Sequence, residues 1–153
     1  MVRRVSAILV IGIGHAFRTD DGIGPKLAEL VAARHLADVT AITHHGEGTG
    51  LMELWSGADR VILIDATISG AAPGTIRQWD ANNPLPAGLF PTGSHLFGVA
   101  EGIELARRLG RLPPSLTIIG IEAADLARGE GLSPAVEAAL PRALQTVLDL
   151  IAG

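Results

Sequence analysis

The chain contains four compact runs of apolar, largely β-branched residues, and segments with helical spacing lie between them. The runs cover residues 7–13, 39–43, 61–64 and 116–121. Short continuous apolar runs of this kind predict strands that are buried on both faces of a sheet. A fifth segment, residues 75–79, is more polar and predicts an edge strand. We therefore expect a sheet of about five strands.

The segments between the runs predict helices. Pro25 suits the first turn of a helix that presents Leu27 and Val31 on one face. A long final helix follows residue 133, and Pro141 is predicted to kink it because proline lacks a backbone donor. The predicted N-terminal caps of the other helices and of this one are Thr49, Ser94 and Ser133. Gly110 is expected to end the helix that starts at Ser94.

Alternating strands and helices predict a doubly wound α/β fold, a three-layer α/β/α sandwich with a mostly parallel twisted sheet and helices on both faces. Hydrophobic residues make up 48% of the chain and aromatic residues only 3%, which suits an aliphatic core of this type. No internal repeat is visible, so residues 1–153 are expected to form a single domain. The loop 82–93, which contains Pro84, Pro86, Gly88 and Pro91, is long enough for a lid or a docking surface.

Charge and composition exclude several classes of function. The net charge is −4 and Lys26 is the sole lysine, so a nucleic-acid partner is not expected. Because the chain has no cysteine, disulfides, thiolate catalysis and cysteine-bound zinc are excluded. The apolar runs are much shorter than the roughly 20 residues that span a bilayer, and no signal peptide is recognised. We expect a cytoplasmic protein without membrane insertion.

The loop after the first predicted strand carries the strongest chemical signal. Gly12 and Gly14 are typical of a dinucleotide-binding turn, but Phe17 stands where that turn needs a third glycine. Asp20 and Asp21 follow, and two like charges about 4 Å apart repel by about 4 kcal/mol at an effective dielectric constant near 20. Two carboxylates would therefore repel a phosphate, and the loop indicates a cation site instead.

Two further residues are predicted to lie at the same edge of the sheet. Asp65 is expected to end the third strand, and His95 lies near the start of a helix, where the imidazole stays neutral. Since the first and third strands of a doubly wound sheet are neighbours, their carboxyl ends meet at a switch point. Asp21, Asp65 and His95 then form a predicted site for a borderline divalent cation with open positions.

Each of these residues also has a structural interpretation. Asp21 could cap the following helix, Asp65 could anchor a turn, and His95 could be exposed without a ligand role. Among other candidates, Glu47 could support the site from behind the ligands. His44 and His45 are expected on opposite faces of a strand, and no serine lies in a nucleophile elbow. His35 is expected at a helix end, where its ring favours the helix dipole.

Three motifs together resemble those of the NiFe-hydrogenase maturation endopeptidases. They are the glycine loop with its acids (residues 12–14 and 20–24), the strand end at residues 64–66, and residues 94–98. The similarity runs along nearly the whole chain and includes residues 72–75 and 132–136. It implies an α/β/α sandwich that removes a C-terminal extension from the hydrogenase large-subunit precursor after nickel insertion.

The resemblance implies that Asp21, Asp65 and His95 recognise nickel and perform catalysis, with Asp20 as a structural neighbour. Nickel would come with the substrate, so we expect purified protein without stoichiometric metal and without an organic cofactor. Two positions depart from the family pattern: His15 replaces a common Asn, and Glu47 shifts the acid of an Asp-Gly-Gly-Thr segment. Alternatives are a non-proteolytic nickel chaperone or scaffold, a small-molecule α/β hydrolase with loop 82–93 as its lid, and, least favoured, nucleotide binding.

Overall fold

A five-stranded sheet with helices on both sides forms the architecture in the computed structural model, which describes residues 7–90 and 97–153. The strands are β1 (Ile8–Ile13), β2 (Val39–His44), β3 (Arg60–Thr67), β4 (Ile76–Asp80) and β5 (Ser115–Glu122). The helices are α1 (Ile23–Ala32), α2 (Gly48–Trp55), α3 (Val99–Leu109) and α4 (Pro134–Ala152), and a 3₁₀ helix (Thr19–Gly22) precedes α1. The predicted fold class is confirmed.

The strand order is β2-β1-β3-β5-β4, in which β4 is an antiparallel edge strand and the other pairs are parallel. The predicted adjacency of the first and third strands is therefore confirmed. Asp65 does not end β3 as expected, because pairing with β5 carries β3 on to Thr67. The last β1 partner of β3 is Gly12, opposite Ile64, so Asp65 lies just beyond the end of the β1–β3 pairing.

Two apolar clusters fill the space between the layers. On one face α1 and α4 cover β1, β3 and β5, with Leu27, Val31 and Val147 fully buried. On the other face α2 and α3 cover the same strands, with Trp55 and Ile103 almost fully buried. This arrangement explains why the strand sequences are apolar without alternation, since neither face of the central strands meets water.

Two helix starts differ from the sequence-based expectation, and the start of α1 agrees with it. Glu47, not Thr49, is the N-cap residue of α2, and its carboxylate accepts hydrogen bonds from the N–H groups of Thr49 and Gly50. Helix α1 follows the 3₁₀ helix directly and starts at Ile23, so Pro25 lies in its first turn as predicted. Helix α3 starts at Val99, with Gly98 as its N-cap residue, and the predicted cap Ser94 lies outside the described residues.

The helix ends follow the predicted glycine and proline signals in part. Gly110 ends α3 in the left-handed conformation, with φ of 66°. Helix α4 remains continuous through Pro141. His35 lies beyond the end of α1 with φ of 48°, so it does not belong to the last helical turn. No helix in the described part of the chain is both long and apolar enough to cross a membrane.

Candidate functional site

The glycines of the first loop allow backbone segments to pack in direct contact. A Cβ on Gly24 would lie 2.2 Å from the Ile13 carbonyl oxygen, and one on Gly12 would lie 2.1 Å from the Gly24 oxygen. Gly14 has φ of 140°, and a Cβ there would lie 1.8 Å from the Asp21 carbonyl oxygen. These glycines let the start of α1 cross the ends of β1 and β3 at the switch point. The loop that resembles a phosphate site therefore holds Asp21 against the strand ends.

Asp21 and its neighbour Asp20 point to different surroundings, although they are adjacent in sequence. Asp21 is half-buried and lines a cavity of about 700 Å³ at the carboxyl edge of the sheet. Its Oδ2 accepts a hydrogen bond of 2.9 Å from the backbone N–H of His15. Asp21 does not cap α1, since the N-cap residue of that helix is Gly22 and its preceding turn contains Asp21. The helix-cap interpretation of Asp21 is therefore wrong.

Asp20 is fully buried and joins the 3₁₀ helix to a distant loop. Its carboxylate accepts hydrogen bonds from the N–H groups of Ala124 (2.8 Å), Asp125 (3.0 Å) and Ser133 (2.7 Å). It also accepts one from the Ser133 hydroxyl at 2.8 Å, so that side chain is engaged with Asp20 instead of capping α4. Burial alone would raise the pKa of Asp20, but these donors together lower it. These contacts give Asp20 the structural role that the resemblance implied.

Asp65 lies in the wall of the same cavity and is only 4% exposed. Burial raises the pKa of this carboxyl well above its usual range, and the negative charge of Asp21 raises it further. The N–H of Ala66 opposes part of this effect. Asp21 and Asp65 thus form an electrostatically coupled carboxyl pair in which holding one proton, or binding a cation, relieves the repulsion.

The two histidines at the end of β2 behave differently from the prediction. The rings of His44 and His45 stack with centroids 4.6 Å apart and an interplanar angle of 15°, because the strand ends at His44 and its alternation no longer applies. Nδ1 of His44 accepts a hydrogen bond from the Gly46 N–H. His45 lines the cavity, as does His15, and their ring centroids are 6.5 Å apart.

Glu47 belongs to the helix cap, not to the carboxyl pair. In addition to the two N–H groups, the Thr49 hydroxyl donates to Oε1 at 2.6 Å. These donors and the nearby His44 lower the pKa of Glu47 to about 2. Glu47 does not line the cavity, so the hypothesis that it supports the site from behind the ligands has no contact to carry it.

The remaining cavity wall has an apolar side and an acidic side. The described apolar lining residues are mostly in the loop after β4 and include Leu85, Leu89 and Phe90, with Leu126 from the loop after β5. The acidic side consists of Glu101 and Glu104 of α3. Sequence reasoning missed Glu101 and Glu104, although their spacing of three residues in a helix places them on one face. Residues 91–93 of the loop 82–93 lie outside the described residues.

Of the three predicted ligands, the structure brings Asp21 and Asp65 to one cavity, and His95 lies outside the described residues. Within residues 7–90 and 97–153, no group of three or more His, Asp or Glu side chains is arranged to hold a metal ion. The two carboxylates present offer hard oxygen ligands, which fit a divalent cation that brings further ligands of its own.

Glu122 is a further buried carboxylate, besides Asp20 and Asp65, and sequence reasoning did not interpret it. It ends β5 and accepts hydrogen bonds from the Thr67 hydroxyl and from the N–H and hydroxyl of Ser69. Burial would raise the pKa of Glu122, but these donors and the Gly70 N–H lower it. An acid at the carboxyl end of a predicted strand was the available signal, and the structure gives it the task of fixing the chain after β3.

Comparisons with known proteins agree on one family. A family model described as hydrogenase maturation protease matches residues 19–150. The chain is similar to the Hydrogenase 2 maturation protease of Escherichia coli (strain K12), with 34% identity over 146 residues, 92% of this chain and 88% of the relative. It is also 31% identical over 148 residues to the Hydrogenase expression/formation protein HupD of Rhizobium leguminosarum bv. viciae, covering 94% of this chain and 73% of the relative.

A solved structure gives the same result at the level of the fold. The hydrogenase maturating endopeptidase HybD from E. coli superimposes with a TM-score of 0.75 and 28% sequence identity. The superposition covers 95% of this chain and 92% of that chain.

Proposed function

The chain belongs to the hydrogenase maturation protease family, and from that premise we propose that it is an endopeptidase that removes the C-terminal extension of a hydrogenase large-subunit precursor after nickel insertion. The observation that carries the proposal is the carboxyl pair Asp21 and Asp65 in one open cavity at the switch point of the sheet. In an open α/β sheet this crevice is where ligands bind. The cavity of about 700 Å³ is large enough for several residues of an extended segment.

The carboxyl pair supplies the proton chemistry that peptide hydrolysis requires. Water adds to the carbonyl carbon, the amide C–N bond breaks, and the leaving amine takes up a proton. A pair of carboxyls that repel each other can hold one proton between them in the free enzyme. When the precursor's nickel takes the place of that proton, an ionised carboxyl of the pair can accept a proton from the attacking water and pass it to the leaving amine. Because Asp65 is buried beside Asp21, it is the member that holds the proton in the free enzyme. The proposed mechanism is therefore of the aspartate type, and we propose that it depends on a metal through the nickel of the precursor.

Nickel enters this proposal as part of the substrate. When both carboxyls are ionised, a divalent cation offsets their repulsion. That repulsion is the second cause, after burial, that raises the pKa of Asp65. Asp21, Asp65 and the predicted third ligand His95 would complete the coordination of nickel already held by the precursor. That nickel would polarise the scissile carbonyl or align it with the pair. The site would then distinguish loaded from unloaded precursor.

The decisive experiment compares nickel-loaded and nickel-free precursor. Each is incubated with the protein, and the products are weighed by mass spectrometry. We expect loss of a C-terminal peptide from the loaded form alone. Binding of the loaded form without any cleavage would favour the nickel chaperone or scaffold, and turnover of small-molecule esters or amides with both precursors left intact would favour the hydrolase.

Isosteric variants test the assigned residues. Asp65→Asn and Asp21→Asn keep the side-chain shape but remove a charge, and each is expected to lower the cleavage rate at least about a hundredfold, as does His95→Ala. Glu53→Gln is the matched control, since Glu53 is exposed on α2 and does not line the cavity. Unimpaired cleavage by either Asp variant would contradict the assignment.

Metal analysis of the purified protein tests the origin of the nickel. We expect the purified protein to contain less than stoichiometric metal. After the protein alone has been treated with a chelator and the chelator removed, it should cleave loaded precursor with full activity. A tightly bound zinc ion whose removal abolishes cleavage would overturn the proposal that the substrate supplies the metal.

A further inference from the structure

Two loops pair beside the cavity and form a rigid surface, here called the ledge, made of residues 15–19 and 127–129. The Gly129 N–H donates to the Phe17 carbonyl at 2.9 Å, and the Thr19 N–H donates to the Gly129 carbonyl at 3.0 Å. The Thr19 hydroxyl also donates to the Ala127 carbonyl. Asp20, the residue that follows the first ledge segment, accepts hydrogen bonds from Ala124 and Asp125 shortly before the second segment. These bonds join the same two loops and fix the ledge backbone further.

The ledge presents Phe17 to solvent. This side chain is 67% exposed, the highest value among the large hydrophobic residues that the structure describes as exposed. Two residues later, Thr19 has φ of 51°, which a β-branched residue adopts only when its surroundings impose it. The Phe17 side chain is therefore held in water by a well-bonded backbone and does not pack in the core. Rigid aromatic side chains in such positions are typical anchors of protein interfaces.

A second exposed apolar residue is hydrogen-bonded through its backbone to a residue of the cavity wall. Ile68 is 50% exposed, and its N–H donates to the carbonyl of Leu89, which lines the cavity wall. On the ledge, His15 and Arg18 line the same cavity on either side of Phe17 in sequence. Phe17 and Ile68 therefore both adjoin residues of the cavity wall at the carboxyl edge of the sheet.

We propose that Phe17 and Ile68 are the anchors through which the folded body of the precursor docks across the cavity mouth. This inference rests on the proposed function. A segment that enters the cavity from a folded protein brings that protein against the residues around the mouth. A second copy of this chain on the same anchors would cover the mouth and exclude the segment, so the precursor is the occupant that the position of the anchors favours.

The test measures docking and cleavage separately. Affinity of the protein for immobilised nickel-loaded precursor is measured by biolayer interferometry, and kcat and KM are measured with the same precursor. We expect Phe17→Ala to weaken affinity and raise KM about tenfold or more with kcat unchanged, Ile68→Ala to act in the same direction, and Phe17→Leu to restore part of the loss. Both residues are exposed, so the melting temperature of each variant should match that of the wild type.

Leu109→Ala is the matched control. Leu109 is 56% exposed at the end of α3, shortly before β5 begins. It therefore lies toward the amino ends of the parallel strands, away from the cavity at their carboxyl ends. Its KM and affinity are expected to stay within about twofold of the wild-type values. The docking proposal is overturned if Phe17→Ala behaves like Leu109→Ala, or if sedimentation shows a wild-type dimer that Phe17→Ala converts to monomer. Wild-type protein that binds the precursor through Phe17 but never cleaves it would sustain docking and refute the proposed function instead.

Discussion

The adjacent residues Asp20 and Asp21 allow a sharp separation of structural and functional roles by the same substitution. In Asp20→Asn, the amide NH₂ group must face at least one of the four donors that the carboxylate now accepts from, which are three N–H groups and the Ser133 hydroxyl. One contact becomes donor against donor, and the remaining contacts lose the assistance of the negative charge. Loss of hydrogen bonds to a buried charged group on this scale costs about 3–5 kcal/mol.

For a chain of this length we expect the melting temperature of Asp20→Asn to fall by about 6–20 °C. Asp21→Asn should change stability by less than about 1 kcal/mol, because the amide oxygen can still accept from the His15 N–H and repulsion with Asp65 is relieved. The two variants should reverse their order in the cleavage assay at 15 °C, where folded Asp20→Asn retains activity and Asp21→Asn does not.

Urea denaturation followed by circular dichroism measures the stability difference. If Asp20→Asn does not fold, Ser133→Ala provides the milder test, since it removes only the hydroxyl contact and should cost about 1–2 kcal/mol. Equal losses of stability in Asp20→Asn and Asp21→Asn, or wild-type stability in both, would refute the division of roles between the two carboxylates.

Three further predictions follow from the same contacts. Asp65→Asn should stabilise the protein at pH 7, because the raised folded-state pKa of Asp65 means that its ionised form destabilises the fold. This gain should vanish below about pH 4, where Asp65 is neutral in both the folded and the unfolded state. An unchanged melting temperature at pH 7 would contradict the prediction. Gly24→Ala should destabilise the protein by more than about 3 kcal/mol or prevent folding, since the added Cβ meets the backbone of β1. In the control Gly57→Ala, the added Cβ meets no atom within 4 Å, and the cost is only the strain of a φ of 81°, about 1 kcal/mol. Equal unfolding midpoints in urea for the two variants would refute the packing role of Gly24. Because their pKa values are lowered in the folded state, ionised Asp20 and Glu122 stabilise the fold above about pH 4, and this stabilisation is lost as the pH falls through the folded-state values. The wild type should therefore lose more stability between pH 5 and pH 2 than Asp20→Asn does. Thermal melts at each pH measure this difference.

The strands could be predicted because their burial follows from composition alone. A run such as residues 61–64 is apolar on every position, and such a run is stable only between two layers. The length of β3 could not be predicted in the same way. Its last residues, Ala66 and Thr67, form strand because β5 pairs with them, and that pairing joins segments more than fifty residues apart.

Helix caps were predicted less well, because several polar residues compete at each start. Glu47 precedes α2 and Thr49 lies in its first turn, and the path of the chain from β2 decides which side chain meets the free N–H groups. Ser133 likewise has a capping side chain, yet its hydroxyl is taken by Asp20, more than one hundred residues earlier. Local preference therefore yields to a tertiary contact that satisfies a buried charge.

By itself the sequence determined the type of fold, the resemblance to the family, and the position of Asp21 and Asp65 near the carboxyl ends of neighbouring strands, because strand periodicity and glycine spacing are local properties. The resemblance favoured Asp21 over Asp20, but only the tertiary structure gives the physical reason why Asp21 faces the cavity. The 3₁₀ turn directs Asp20 to donors in the loop 124–133 and leaves Asp21 beside Asp65. Likewise, only the packed structure shows that Phe17, in the place of a third phosphate-loop glycine, stands exposed on a rigid ledge, since exposure depends on what the rest of the chain leaves uncovered.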